Sequence, residues 1–212
     1  MSDPLRFPVP AQVHRVDETI QRSRFITTIA RAPDAEAARS FIATIRDEWP
    51  DATHHCWAFV AGPPGSTTHI GMSDDGEPHG SAGRPMLSTL LHGGVGDIVA
   101  VSTRYFGGVK LGTGGLSRAY AGGVKLALAS LPTEEKVERA LVDVTVGYAE
   151  VDGLQRLVGE MDMLVADEEY GSRVTYRLGV PASEVETLRQ RVADLTRGDG
   201  RVAEVDTRSE PR

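Results

Sequence analysis

The chain has 212 residues, of which 40% are hydrophobic and 25% are charged, an ordinary globular composition. Its formal net charge of −7 argues against indiscriminate binding to nucleic acid but leaves room for a local basic groove. The single cysteine, Cys56, excludes an intrachain disulfide. With no signal-peptide pattern and no apolar run approaching about 18 residues, we expect a cytoplasmic protein with no membrane contact.

The predicted elements of the first part alternate between strands and helices. In chain order we predict a loose arm over 1–10, two short strands around Asp17 within 12–30, a helix over 34–49, strands over 52–60 and 67–72, a loop over 73–83, a helix over 85–92, a strand over 97–106, a glycine loop over 107–115 and a helix over 116–131. Asp34 is suited to cap the first helix, and Pro50 and Pro132 end two of the helices.

A change of charge marks a boundary near Pro132. Residues 1–132 carry 12 acidic and 12 basic side chains, whereas residues 133–212 carry 18 and 11. The second part predicts a strand over 137–148, a helix over 151–161, a hairpin of 164–170 and 173–180, a helix over 183–195 and a strand over 201–205. Ser183 and Glu186 form a capping-box pattern at the last helix. This βαββαβ order is the ferredoxin-like arrangement.

Glycines and basic residues are concentrated within the second half of the first part. Sixteen of the 23 glycines lie between Gly62 and Gly123, and the stretch 84–125 holds five basic residues and one acid. A glycine loop that leads from a strand into a helix start favours an anion such as phosphate. The candidate phosphate-binding residues are Arg84, Arg104, Lys110, Gly112, Thr113, Gly114, Gly115, Arg118 and Lys125. The alternative is a tight turn that only packs strand on helix.

Within this set, Arg104 is the best single candidate for a cation that faces a ligand. Strand alternation places it with Ala100 and Ser102 on one face of its strand. The loop matches neither a P-loop nor the dinucleotide fingerprint, since Thr113 and Ser117 stand where those motifs need lysine and glycine. Nucleotide hydrolysis is therefore not indicated, and we expect no cofactor.

The loop at 74–79 holds a dense set of potential ligands. Asp74, Asp75, Glu77 and His79 could build a metal site or a general base. The same residues are also ordinary turn formers, and their spacing matches no known metal motif. We favour the structural interpretation, with Glu77 or Asp75 bonding Arg84, and predict no metal.

The sequence His54-His55-Cys56 suggests zinc or a cysteine nucleophile. Strand alternation sends His54 and Cys56 to one face and His55 and Trp57 to the other, so the three cannot converge on one metal. Cys56 is expected to be a small buried hydrophobe. His55 and Trp57 could form an exposed stacking platform for single-stranded nucleic acid, or they could belong to the core.

Three blocks carry a resemblance to a known family. ATHHCWAF at 52–59, SDDGEPHGSAGRPML at 73–87 and STRYFGGVKLGTGGLSRAY at 102–120 strongly resemble the IMPACT/YigZ family, in its bacterial two-domain form. The resemblance implies an α+β fold. Residues 1–132 would form a β-α domain with a left-handed βαβ crossover, similar to a ribosomal protein and to domain IV of elongation factor G. Residues 133–212 would form a smaller ferredoxin-like domain with a loose tail.

Three functional hypotheses remain open at this point. The first is a non-enzymatic RNA- or ribosome-associated protein in translation regulation, since eukaryotic relatives are linked to translational control under amino-acid stress. The second is an enzyme that acts on a small phosphorylated or peptide-like substrate through Asp75, Glu77 and His79. The third is a protein-interaction module that docks a partner on the acidic second domain. We favour the first hypothesis, and we expect that the protein is not an enzyme.

Overall fold

The structure is a computed structural model, and it describes residues 6–205. The chain divides into two compact units between Lys136 and Val137, after the boundary predicted at Pro132. The ends of the predicted arm and tail, residues 1–5 and 206–212, lie outside the described residues. The first unit contains, in order, β1 (Arg6–Pro10), β2 (His14–Ile20), β3 (Ser23–Arg31), α1 (Ala35–Glu48), β4 (His54–Ala61), β5 (His69–Ser73), α2 (Gly83–Leu91), β6 (Ile98–Tyr105), α3 (Gly112–Ser130) and β7 (Thr133–Val137), whose last residue begins the second unit.

A five-stranded sheet is the centre of the first unit. Its order is β2-β3-β6-β4-β5, and every neighbouring pair is antiparallel. Because β3 and β4 both pair with β6, they run parallel to each other, and α1 connects them as a βαβ crossover with β6 inserted. This is the crossover that the family resemblance implies, and its left hand stays a prediction.

The alternation of β6 divides the core into two layers. Val99 and Val101 pack with Ile42 and Ile45 of α1 on one face of the sheet. Ala100 faces the other side, where α2 and α3 cover it. Small side chains on this second face let the helices approach closely, and Gly123 is the clearest case, since a Cβ there would lie 2.5 Å from the Thr27 hydroxyl. Ser102 and Arg104 continue this face towards the end of α3 that carries the glycines.

The N-terminal segment is a strand and not a loose arm. β1 pairs with β7 in a separate two-stranded sheet, and Phe7 and Val9 are buried. Lys136 on β7 donates to the fully buried Asp97 carboxylate at 2.8 Å. The prediction failed because three prolines argued for disorder, while proline is tolerated in the edge strands of a small sheet.

The second unit has the ferredoxin-like topology. Its elements are β8 (Arg139–Val146), α4 (Val151–Glu160), β9 (Leu164–Tyr170), β10 (Val174–Pro181), α5 (Val185–Thr196) and β11 (Arg201–Glu204), with short 3₁₀ turns before α4 and α5. The sheet order is β11-β8-β10-β9, entirely antiparallel. Alternate valines of β8 and alternate apolar residues of β10 pack against both helices, so the βαββαβ prediction is confirmed.

Two local predictions are wrong. Ser183 does not cap α5, because a 3₁₀ turn over Ala182–Glu184 precedes the helix, which begins at Val185 without a side-chain cap. Asp17 is not the point where the first two strands meet, since it lies in the middle of β2 and accepts from Arg24. The turn is made by Gln21 and Arg22, both with positive φ, at 46° and 67°.

Candidate nucleic-acid interface

The site begins where β6 ends and the glycine loop leads into α3. The helix starts at Gly112, whose φ is +72°. Gly112–Gly115 therefore form its first turn, whereas the sequence pattern had placed them in the loop. Leu111 at the N-cap offers no side-chain acceptor. The N–H groups of the first turn of any helix lack an intrahelical partner, and here no N-cap side chain accepts from them. These N–H groups, at the positive end of the helix dipole, can therefore donate to another acceptor.

Close backbone contact explains one glycine of the loop and reveals a further cation. A Cβ at Gly107 would overlap the carbonyl group of Arg22, so only glycine fits against the β2–β3 turn. The exposed Arg22 is thereby placed beside the glycine loop. Sequence reasoning missed Arg22, although two polar residues between two strand patterns are the signal of a turn.

Arg104 is not a free cation. Its guanidinium donates to Glu77 Oε1 at 2.5 Å and to Ser23 Oγ at 3.2 Å, and the Arg104 and Glu77 side chains are only 5% and 3% exposed. The Tyr120 hydroxyl of α3 donates to the same Glu77 oxygen at 2.7 Å. Burial raises the pKa of the Tyr120 phenol, so it stays a donor. The predicted bond from Glu77 or Asp75 to Arg84 is therefore wrong, because Arg104 takes Glu77.

Two aromatic rings flank this buried ion pair. The Arg104 guanidinium carbon lies 5.3 Å from the centroid of the Phe25 ring and 5.4 Å from that of Phe106. Phe106 is 47% exposed, so one side of its ring covers the guanidinium while much of the ring is open to solvent. The Arg104 Nε is buried and has no hydrogen-bond partner in the structure.

A cavity of about 340 Å³ lies between the Glu77 loop and the start of α3. Its lining comprises Glu77, Pro78, Arg104, Phe106, Lys110, Leu111, Gly112, Thr113 and Leu116. The structure thus brings four of the predicted phosphate-binding residues to one place. The cavity is thus bounded by apolar side chains, by a buried ion pair and by the start of a helix with a lysine beside it.

The remaining predicted cations divide into two groups. Arg118 lies beside the first turn, with its guanidinium 3.7 Å from the position of a Cβ at Gly114, and Lys125 follows on the exposed face of α3. Arg84 instead lines a neighbouring cavity with Asp74 and His79. Across residues 6–205, neither Arg118 nor Lys125 forms an ion pair, and the same holds for Lys110 and Arg22.

The acidic loop does not assemble a catalytic group. Asp74 accepts from the N–H groups of Ala82 and Gly83 at 2.9 Å, so it caps α2. Burial alone would raise the pKa of Asp74, but these backbone donors hold it below its usual range. Asp75 pairs with Arg46 at 2.6 Å, and His79 is fully exposed. Asp75, Glu77 and His79 thus have separate surroundings, and the described residues contain no group of three acidic, histidine or cysteine side chains suited to a metal ion.

Cys56 and the two histidines are part of the packing. Cys56 is fully buried, and burial raises the pKa of its thiol to about 12, so the reactive thiolate is suppressed. His54 lies opposite Arg104 on the α3 side of the sheet, as alternation predicts. His55 lies on the α1 side, where it is 8% exposed and its ring contacts the Trp49 carbonyl at 3.1 Å. Burial lowers the pKa of His55.

The stacking platform predicted from His55 and Trp57 is not formed. His55 is buried, and the half-buried Trp57 stacks on Phe59 with ring centroids 6.1 Å apart. Both residues lie on the opposite face of the sheet from α3. Phe106, which was not in the predicted site, is the exposed aromatic ring beside the cavity.

Comparison with known proteins gives matches to both units. The model of the Impact N-terminal domain matches residues 21–128, and that of a domain of unknown function, DUF1949, matches 144–199. The IMPACT family member YigZ of Escherichia coli (strain K12) is 44% identical over 190 residues, covering 90% of this chain and 93% of its own. The IMPACT family member YvyE of Bacillus subtilis (strain 168) is 34% identical, covering 87% and 84%.

A solved structure supports the same fold. A crystal structure described as that of a hypothetical protein superposes with a TM-score of 0.70 and 41% sequence identity, covering 95% of this chain and 98% of its own. In the part of the chain that the structure describes, no helix combines the length and apolar character needed to cross a membrane.

Proposed function

The chain belongs to the IMPACT family, and from this premise we propose that it is an RNA-binding protein that acts in translation or its regulation. The contact would be made by the glycine-loop surface, which we define as Arg22, Lys110, the first turn of α3 (Gly112–Gly115), Arg118 and Lys125. RNA phosphates would take the place of the acidic partners that these cations lack.

One observation carries this proposal: an uncapped helix start lies among cations that have no acidic partner in the described chain. Elsewhere in the first unit, Arg15, Arg24, Arg31 and Arg46 each pair with a carboxylate at 2.6–2.8 Å. A surface whose positive charge is neutralised internally has little left for phosphate. The glycine-loop surface keeps its charge, and its backbone N–H groups can bind phosphate oxygens.

The surface is long enough for more than one phosphate. Arg118 and Lys125 are seven residues apart, which corresponds to about 10 Å along the helix axis. Gly122 lies between them on the exposed face, and a Cβ there would have no heavy atom within 4 Å. A ligand backbone can therefore come close to this part of α3. Glu18 bounds the surface on the β2 side, near Gly123.

The test is a filter-binding titration of bulk RNA and ribosomes with the full chain at two salt concentrations. We expect binding that weakens with salt, because bound cations release counterions. Lys110→Ala/Arg118→Ala should weaken binding and reduce the slope of log affinity against log salt by about 2.

The matched control removes the same charge elsewhere. Arg39 on α1 and Arg156 on α4 are exposed and, among the described residues, form no ion pair. Arg39→Ala/Arg156→Ala should leave the salt slope unchanged. Equal losses in the two double variants would show that only the total charge matters, and binding that ignores salt would overturn the proposal.

The structure bears on one of the two alternative hypotheses. The enzyme hypothesis relied on Asp75, Glu77 and His79, which do not converge. The protein-interaction hypothesis stays a prediction, and β9 is the surface it would use. This strand lies at the edge of its sheet, all of its residues are exposed, and it includes Asp167, Glu168 and Glu169.

A further inference from the structure

We propose that the cavity beside the start of α3 receives one unstacked nucleotide of the bound RNA, and that it prefers guanine. The inference rests on the proposed RNA-binding function and adds base selectivity to it. Three parts of the cavity carry it: an aromatic wall, a buried carboxylate with a free oxygen, and a cationic rim.

The aromatic wall has the chemistry of a base-stacking site. Phe106 is 47% exposed, and Pro78, Leu111 and Leu116 complete an apolar lining around it. Arg104 backs the ring at 5.4 Å, which fixes one side of the phenyl group and leaves the rest available. Proteins bind single-stranded nucleic acid by stacking bases on such rings. A volume of about 340 Å³ is at the lower end of small-molecule pockets and suits one nucleotide.

The buried carboxylate indicates what the base edge must offer. Arg104 and Tyr120 both donate to Glu77 Oε1, and no donor within residues 6–205 reaches Oε2. Arg104 Nε, in the same lining, also lacks a partner. Since buried polar groups are nearly always hydrogen-bonded, the unmatched Arg104 Nε favours a ligand that brings an acceptor. Glu77 Oε2, which no donor of the described chain reaches, favours a ligand that also brings donors. Of the four bases, guanine places two adjacent N–H donors beside an acceptor oxygen on its Watson–Crick edge.

The rim of the cavity provides for the phosphate of the same nucleotide. Lys110, Gly112 and Thr113 line it, and the last two belong to the first turn of α3. The helix start and the lysine would hold phosphate, while the base would enter between Phe106 and Glu77. The arrangement separates affinity, which the rim provides, from selectivity, which Glu77 provides.

The experiment compares oligonucleotides that differ at one base. Fluorescence anisotropy with the full chain would follow labelled oligouridylates of about 12 nucleotides that carry G, A, C or U at the centre. We expect the G-containing oligomer to bind about tenfold more tightly than the all-U oligomer. Phe106→Ala should weaken its binding about tenfold, because base stacking is lost.

Val109→Ala is the matched control, since Val109 is an exposed residue of the same loop outside the cavity lining. Glu77→Gln should abolish the guanine preference. Because this change also removes the buried ion pair with Arg104, Phe106→Ala provides the independent measurement. Equal affinity for all four oligomers, or equal effects of Phe106→Ala and Val109→Ala, would overturn the inference and leave the proposed function standing. Failure of every oligomer to bind at low salt would overturn both.

Discussion

Helices α3 and α5 each cover an antiparallel sheet, but they differ in whether their basic side chains form ion pairs. In α5, Arg189 pairs with Glu204 at 2.5 Å and Arg191 pairs with Glu160 at 2.6 Å. In α3, Arg118 and Lys125 have no acidic partner among the described residues, and the helix contains no acidic residue. The charge of α5 is neutralised within its own unit, whereas the charge of α3 is available to an outside anion.

The comparison shows that the net charge of the chain does not reveal where its charges are paired. The second unit is acidic, but many of its carboxylates are occupied by its own arginines, such as Asp143 by Arg177 and Asp162 by Arg139. The first unit is neutral in sum, but its free cations are concentrated around α3. The two units therefore differ in how far their charges are paired within the fold, and not only in the sum of those charges.

The largest effect is expected from breaking the one buried pair beside α3. Arg104→Ala would leave Glu77 buried without its cation, which should lower the free energy of unfolding by about 3–5 kcal/mol. Arg31→Ala, in the half-exposed pair with Glu134, should cost less than about 1 kcal/mol. Urea unfolding followed by tryptophan fluorescence measures both, because Trp49 and Trp57 lie in the first unit. A smaller loss in Arg104→Ala than in Arg31→Ala would refute the role of the buried pair.

A second prediction compares two glycine-to-alanine changes in helices, which should affect stability alike but RNA affinity differently. Gly122 of α3 and Gly159 of α4 both have open space where a Cβ would be. Replacement of either by alanine should stabilise its helix, by up to about 1 kcal/mol, since glycine is a poor helix former. RNA affinity should fall only in Gly122→Ala, because the added methyl group stands between Arg118 and Lys125. Thermal unfolding and anisotropy test the two halves, and unchanged affinity in Gly122→Ala would exclude close ligand approach at this position.

The smallest effect concerns a paired cation of the second unit. The hydrogen bond from Arg177 holds the pKa of Asp143 below its usual range. Asp143 therefore stabilises the fold fully above the unfolded carboxyl pKa of about 3.9, and this contribution is lost as pH falls through the lower folded pKa. The pair is partly exposed, so Arg177→Gln should cost no more than about 1 kcal/mol at pH 7. Urea unfolding by circular dichroism at neutral and acidic pH should show that difference shrinking with acid, and a difference that grew would contradict the assignment.

The fold was largely predictable because its elements follow local periodicity. The alternating apolar residues of β8 and β10 and the apolar stripe of α1 need no distant partner to be recognised. The start of α3 was misplaced because glycine is a poor helix former, and Gly112–Gly115 read as loop. The strand β1 was missed because its pairing with β7 joins chain segments that are far apart.

The candidate site was predictable in composition but not in pairing. The excess of cations around Lys110 and Arg118 is visible in the sequence, and the structure leaves both without an acidic partner in the described chain. The pairing of Arg104 with Glu77 could not be predicted, because 27 residues separate them, and Arg84, much nearer in the chain, was predicted as the partner instead. Arg22 enters the surface only through its backbone contact with Gly107, a tertiary effect.

The insertion of β6 between β3 and β4 also governs the order of events on the ribosome. Arg24 of β3 pairs with Tyr105 of β6, and His54 of β4 pairs with Arg104 of β6. Both strand pairs therefore need residues that are synthesised after β3, α1 and β4. Until residues 98–105 emerge, β3 and β4 each present an open edge and cannot pair with one another across the missing strand. The sheet therefore cannot be completed until synthesis has reached about the midpoint of the 212-residue chain, and a nascent chain that stalls before Tyr105 exposes two strand edges that can pair with other chains.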